Sequence, residues 1–123
     1  MLLLPRAVRV YVATQPVRLN RSFDGLSNMV REVMGQDPLS GHVFVFINRR
    51  RTMVKLLVWT RGGFTIVHKR LERGTFARVF SETEERSQVE LDVHELSMLL
   101  EGIELSTGHR STRWEPRRHA RAA

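Results

Sequence analysis

The sequence predicts an α+β fold, a mostly antiparallel sheet with one helix on a face and a second, C-terminal helix, and three observations carry that reading. Residues 43–48 and 53–60 are rich in β-branched and aromatic side chains, and the polar stretch Arg49-Arg50-Arg51-Thr52 between them has hairpin length. A third run follows the dipeptide Arg61-Gly62, which reads as a second tight turn, with Gly63 free to relax the backbone just after it. Helix-spaced apolar residues flank this meander on both sides, so the element order is β-α-β-β-β, a short further strand, and α.

Taken in order, Val8, Val10 and Val12 alternate with Arg9, Tyr11 and Ala13, a strand with one aliphatic face that Pro16 breaks. Ser22 is placed to cap a helix in which Asp24 suits the positive end, and Phe23, Leu26, Val30 and Val33 recur at helical spacing until Gly35. Residues 36–41, with Pro38 and Gly41, connect to the first hairpin. Beyond the meander, Leu71-Glu72-Arg73-Gly74 reads as a turn, and the alternation of Phe76, Arg78 and Phe80 with Ala77 and Val79 reads as a short edge strand. Residues 81–87 lack apolar side chains and read as a solvated loop. Asp92 and Glu95 form a capping-box pair opening a helix in which Val93, Leu96, Leu99, Leu100 and Ile103 face inward, with Gly102 near its end. Residues 106–123 are polar, basic and aperiodic, so the expectation is a single domain over 1–105 and a disordered basic tail in which Trp114 is the one anchor candidate.

Pairing Asn48 with Met53 and Thr60 with Gly63 sorts the meander into two faces. One gathers Val43, Val45, Ile47, Val54, Leu56, Val58, Thr65 and Val67, and the stripe of the first helix is its natural cover. The other gathers Phe44, Phe46, Leu57, Trp59, Phe64 and Ile66 among Lys55, His68 and Arg70, with the triple-arginine loop at its border. Rings among cations suit nucleic acid, because rings stack on bases while Lys and Arg neutralise phosphates. The alternative is a second core layer beneath the C-terminal helix, with the cations snorkelling at its rim.

Charge is sorted along the chain. Residues 1–80 carry 14 Lys and Arg against 4 acids, residues 81–107 carry 1 against 8, and residues 108–123 carry 5 against 1. Such a field draws polyanions to the basic parts, while the acidic segment either screens them or docks a basic partner. With no cysteine there is neither a disulfide framework nor a thiolate metal site, which fits a reducing compartment. The apolar run Met1-Leu2-Leu3-Leu4 is too short for a signal core or a membrane span, and the expectation is a cytoplasmic protein with no membrane partner.

No Gly-rich phosphate loop is present, since Arg61-Gly62-Gly63 is accounted for by a hairpin. The five His show no ligand-like pairing and the three Asp are spent at helix starts and turns, so neither a zinc site nor a two-metal strand-transfer centre is expected, and no cofactor. One enzymatic alternative remains: Lys55, His68 and Arg70 together have the ingredients of a metal-independent RNase, with His68 moving the proton and the cations stabilising phosphorane charge.

Several blocks in fixed order are familiar. Arg9-Val10-Tyr11-Val12-Ala13-Thr14, Ser22-Phe23-Asp24-Gly25-Leu26, the stretch DPLSGHVFVF from Asp37 to Phe46, Asn48-Arg49-Arg50, Lys55-Leu56-Leu57, KRLERGTF from Lys69 to Phe76 and Leu99-Leu100-Glu101-Gly102-Ile103 together resemble the small TnpB-type accessory proteins of insertion sequence sixty-six elements, over about residues 8–104. The resemblance implies a protein encoded beside a separate transposase and auxiliary to transposition, unrelated to the RNA-guided nucleases that share the TnpB name. The family supplies no catalytic residues to carry over. The chain departs from the family's usual pattern at Leu19-Asn20-Arg21-Ser22, which stands where a Met-Arg-Lys-Gly run is common, and at Val58-Trp59-Thr60, which stands for Trp-Trp-Asp.

The sequence therefore points to a non-enzymatic accessory that binds element DNA or the transposase-DNA complex. Its phosphate contacts are expected from Arg49, Arg50, Arg51, Lys55, Arg61, Lys69, Arg70 and Arg73, with Trp59 and Phe64 stacking. The alternative is an adaptor that docks the transposase through its acidic region or aromatic face without touching DNA. Oligomeric state is not set by sequence.

Overall fold

The computed structural model describes residues 8–79 and 85–102, which form a mixed sheet between two helices. Its elements are β1 (Val10–Ala13), α1 (Phe23–Glu32), β2 (Val43–Ile47), β3 (Met53–Thr60), β4 (Gly63–Arg70), β5 (Gln88–Leu91) and α2 (Val93–Glu101). The sheet order is β4-β3-β2-β1-β5; only β1 and β2 run parallel, with α1 as the crossover that parallel neighbours require.

The meander has the register its turns predict. Phe44 pairs with Leu57 and Ile47 with Val54 across the first hairpin, and Thr60 pairs with Gly63 across the second. Arg61 at φ 46° and Gly62 at φ 83° both take left-handed backbone, the requirement of the turn type whose twist matches the strands it joins. In the longer loop Asn48 does the organising. Its Oδ1 accepts the N–H groups of Thr52 and Met53 at 2.9 and 3.0 Å, while the Arg51 N–H closes onto the Asn48 carbonyl at 3.0 Å and Arg51 turns left-handed at φ 60°.

β2 is buried along both faces, as a central strand between two helices must be. The helix assignment, however, is the reverse of the sequence expectation. α1 covers the aromatic face, where Leu26, Val30 and Met34 pack with Phe44, Phe46 and Leu57. α2 covers the aliphatic face, where Leu96 and Leu99 join Val43, Val45, Ile47, Val54, Leu56 and Val58. Side-chain period sorts residues into faces without saying which helix meets which. In a β-helix-β unit the side taken by the helix follows from the hand of the crossover, not from whether rings or aliphatic chains await it. At about 1.5–3 kcal/mol per fully buried large apolar side chain, either helix is strongly held.

Both helices begin where expected. Ser22 is the N-cap of α1 but its hydroxyl makes no capping bond, whereas Asp92 and Glu95 form the full reciprocal capping box of α2, with Glu95 N–H to Asp92 Oδ1 at 2.7 Å and Asp92 N–H to Glu95 Oε1 at 3.0 Å. The α2 exit is tight: a Cβ on Gly102 would lie 2.8 Å from Leu71 Cδ1, and its φ of 82° is left-handed. The connection before β2 is pinned as well, with the Leu39 N–H on Asp37 Oδ1 at 2.9 Å and the Arg9 N–H on His42 Nδ1 at 3.0 Å, which fastens the DPLSGH block to the residue preceding β1.

Residues 76–79 do not form the edge strand that their alternation predicts. Phe76 is instead a fully buried plug in the aliphatic core, held by Arg51, whose carbonyl accepts the Phe76 N–H at 2.7 Å and whose Nη1 donates to the Phe76 carbonyl at 3.0 Å. The last strand is β5, antiparallel to β1, so residues at opposite ends of the domain complete one edge of the sheet. Phe80, residues 81–84, Ile103 and the 106–123 tail with Trp114 lie outside the described residues.

Candidate nucleic-acid interface

Strand geometry divides the expected site residues by position. The 49–52 loop and the end of β4 lie at one end of the sheet, and the Arg61-Gly62 turn lies at the other, about 23 Å away along β3 at 3.3 Å per residue. At the first end Arg49 and Arg50 stand exposed at the loop tip, with no hydrogen bond or ion pair among the described residues. Arg73, just past β4, is exposed too. Lys55 and His68 are cross-strand partners, as are Met53 and Arg70, so Lys55, His68 and Arg70 gather on the α1 side of that same end.

Their mutual influence is readable in His68. Burial first, then repulsion from Lys55 and from Arg70, lowers its pKa below the ordinary 6.5, so the ring is neutral at pH 7. Lys55 is half-buried and donates from Nζ to the Arg21 carbonyl at 2.8 Å, which moors the start of α1 over the strand. Arg70 pairs with Glu72, Nη2 to Oε2 at 3.2 Å, but both side chains are largely exposed, and such pairs hold weakly in water.

The remaining predicted residues do not join this group. Arg51 is committed to Phe76 and serves the fold. Lys69 pairs with Val54 on the opposite, α2 face, and its Nζ donates to the Leu100 carbonyl, a cation at a helix C-terminus where the dipole favours it. Arg61 stands alone in the far turn. Trp59 and Phe64 are cross-strand partners near that far turn, meeting edge to face with centroids 4.9 Å apart, and both are half-buried. Phe44 and Phe46, which the ring-and-cation pattern also placed on this face, are sealed under α1 and unavailable for stacking.

Sequence reasoning passed over Arg21. It sits immediately before α1, beside Lys55 and exposed, with its stem so close to Gly25 that a Cβ there would lie 3.1 Å from Arg21 Cβ. A cation at the positive end of a helix is locally unfavourable, and such conflicts tend to mark function; the Ser22 cap position was the signal that could have found it.

Among the described residues no group of three or more His, Cys, Asp and Glu is placed to hold a metal ion, and no helix is long and apolar enough to cross a membrane. The fold and this end-on cluster define a small basic α+β domain whose exposed chemistry is cationic. The chain belongs to the family described as IS66 Orf2 like protein, whose model it matches over residues 8–110, and so to the transposition-associated accessory proteins of these insertion sequences. It is 31% identical over 99 residues to the uncharacterized protein y4jC of Sinorhizobium fredii (strain NBRC 101917 / NGR234), covering 80% of this chain and 82% of that one. With the uncharacterized protein y4hO of the same organism it shares 34% over 110 residues, 89% of this chain and 90% of the relative. No solved structure matches it.

Proposed function

We propose that the chain is a non-enzymatic accessory of transposition that binds element DNA, alone or within the transposase-DNA complex, through the basic end of its sheet. The observation that carries the reading is the convergence of Arg49, Arg50, Lys55, Arg70 and Arg73, with Arg21 behind them, at one end of the meander. These cations come from a hairpin loop, two adjacent strands and a helix start, so they span a surface rather than a line, as a duplex backbone demands. Phosphate contact rather than base readout is the expected mode, because the buried Phe44 and Phe46 leave few rings free. The test is binding to duplex DNA across a salt series, with and without the transposase. If the four exposed cations Arg49, Arg50, Arg70 and Arg73 each meet a phosphate, log affinity falls against log salt with a slope of about −3.6. A flat dependence removes DNA as the direct partner.

The adaptor reading draws on a different observation. Phe23 and Val33 at the two ends of α1, and Leu39 in the loop that follows, are 43%, 42% and 46% exposed, the side chains a protein partner would cover. DNA binding that appears only when transposase is added favours the adaptor.

A further inference from the structure

We propose that two copies of the chain pair through the open edge of β4, antiparallel about Val67, and that this pairing completes a ring-and-cation surface that a single copy splits between its two ends.

The edge is built for pairing. β4 lies at the end of the sheet order and, among the described residues, bonds only to β3. The Leu71 N–H donates to the Thr52 carbonyl at 2.8 Å, and the register continues from there in steps of two, so Gly63, Thr65, Val67 and Lys69 exchange bonds with β3. Phe64, Ile66, His68 and Arg70 therefore turn their N–H and C=O groups outward. The strand has eight residues, no proline and an unbroken ladder to β3, which leaves a long edge without the usual geometric safeguards.

Charge selects the occupant. The first six positions, Gly63 to His68, carry no charge at pH 7, and the cationic ones, Lys69 and Arg70, are confined to the last two. Outward residues must meet outward residues, and centring the pair on Val67 uses all four. That register sets His68 opposite Ile66, Lys69 opposite Thr65 and Arg70 opposite Phe64 of the second copy, so no cation faces another. A parallel pairing, or an antiparallel one centred on Lys69, would stack like charges, which is destabilising. Val67, 41% exposed in a single copy, meets its own counterpart at the centre. An acidic strand from another protein would satisfy Lys69 and Arg70 but would set charges against Ile66 and Val67.

The geometry joins what one copy separates. Phe64 and Arg70 lie on the same face about 20 Å apart along β4. A twofold axis normal to the sheet keeps both α1 faces on one side, and it carries the Trp59–Phe64 ring pair of one copy beside the Lys55, His68 and Arg70 cluster of the other. Arg70 over a ring adds a cation–π contact.

The pairing is a property of the free chain, so it is tested without nucleic acid. In sedimentation equilibrium the full chain should show twice its 14.3 kDa mass. Val67→Lys, with its fold checked by circular dichroism, should sediment as a monomer. Because the chain has no cysteine, single replacements report proximity: Val67→Cys should form a disulfide-linked dimer on mild oxidation, since a central pair of this kind brings its Cα atoms to about 4.5 Å. Thr65→Cys, opposite Lys69, should cross-link far more slowly. A chain that stays monomeric at its highest soluble concentration overturns the proposal, whether or not it captures an acidic peptide. So does a dimer that survives Val67→Lys, or one in which the two cysteine variants cross-link alike. A monomer that binds DNA with the slope given above overturns only the pairing, and a dimer with no affinity for DNA overturns only the DNA reading.

Discussion

Removing the two loop-tip arginines gives the sharpest test of the basic end. Arg49→Ala combined with Arg50→Ala takes away two exposed cations that support nothing in the fold, so the protein should remain folded while its DNA contacts halve. From four phosphate contacts to two, the salt slope should fall from about −3.6 to about −1.8. Between 50 and 200 mM salt that means a loss of affinity of about 150-fold for the parent chain but only about 12-fold for the double variant. Fluorescence anisotropy on a labelled duplex reads both. Arg61→Ala is the matched control, because it removes the same charge at the far end of β3 and should leave the slope unchanged. If Arg61→Ala and Arg49→Ala reduce the slope equally, the protein responds to net charge alone and the localised surface is refuted.

Other consequences follow from burial, capping and titration. Phe44→Ala should cost about 3–5 kcal/mol in urea denaturation because the ring is sealed between sheet and α1, while Phe23→Ala, at a site 43% exposed, should stay within about 0.5 kcal/mol. Asp92→Ala breaks the capping box of α2 and should cost about 1 kcal/mol by the same measurement, with Asp92→Asn retaining most of it. His68 should titrate below 6.5 by NMR, and a bound polyanion should move it upward as the repulsion from Lys55 and Arg70 is offset. Because the unfolded chain takes up this proton first, the His68 contribution to stability is complete above about pH 6.5 and is lost as pH falls through the lower folded value. A His68 that titrates above 6.5 in the free protein would contradict the cluster.

The meander was legible because each strand carries its own register signal. The Arg61-Gly62 turn fixes the pairing of Thr60 with Gly63, and a two-residue period then assigns every side chain to a face. The capping box was equally local. What escaped was non-local. The sides taken by α1 and α2 depend on a crossover that no side-chain pattern encodes. β5 has only four residues, and its partner β1 lies more than seventy positions earlier, so nothing in its own composition declares it. The positions of the predicted cations were hidden in the same way. Arg49, Arg50 and Arg51 are adjacent in sequence and alike in chemistry, yet a left-handed backbone at Arg51 turns that side chain back to hold Phe76. Lys69 and Arg70 are neighbours that strand alternation sends to opposite faces, one to the end of α2 and the other to the basic cluster.

The position of β1 has a consequence for how the protein comes into being. Its two neighbours arise from residues 43–45 and 88–91, so the strand made first is enclosed last. At ribosomal speeds of about 5–20 residues per second, roughly 4–16 s separate synthesis of Ala13 from that of Leu91. Throughout that interval Val10 and Val12 have no finished core to enter, and any nascent chain interrupted before β5 presents a sticky margin to whatever is nearby. Yield in the cell should thus depend on residues 88–91, far along the chain from the arginines that define its chemistry.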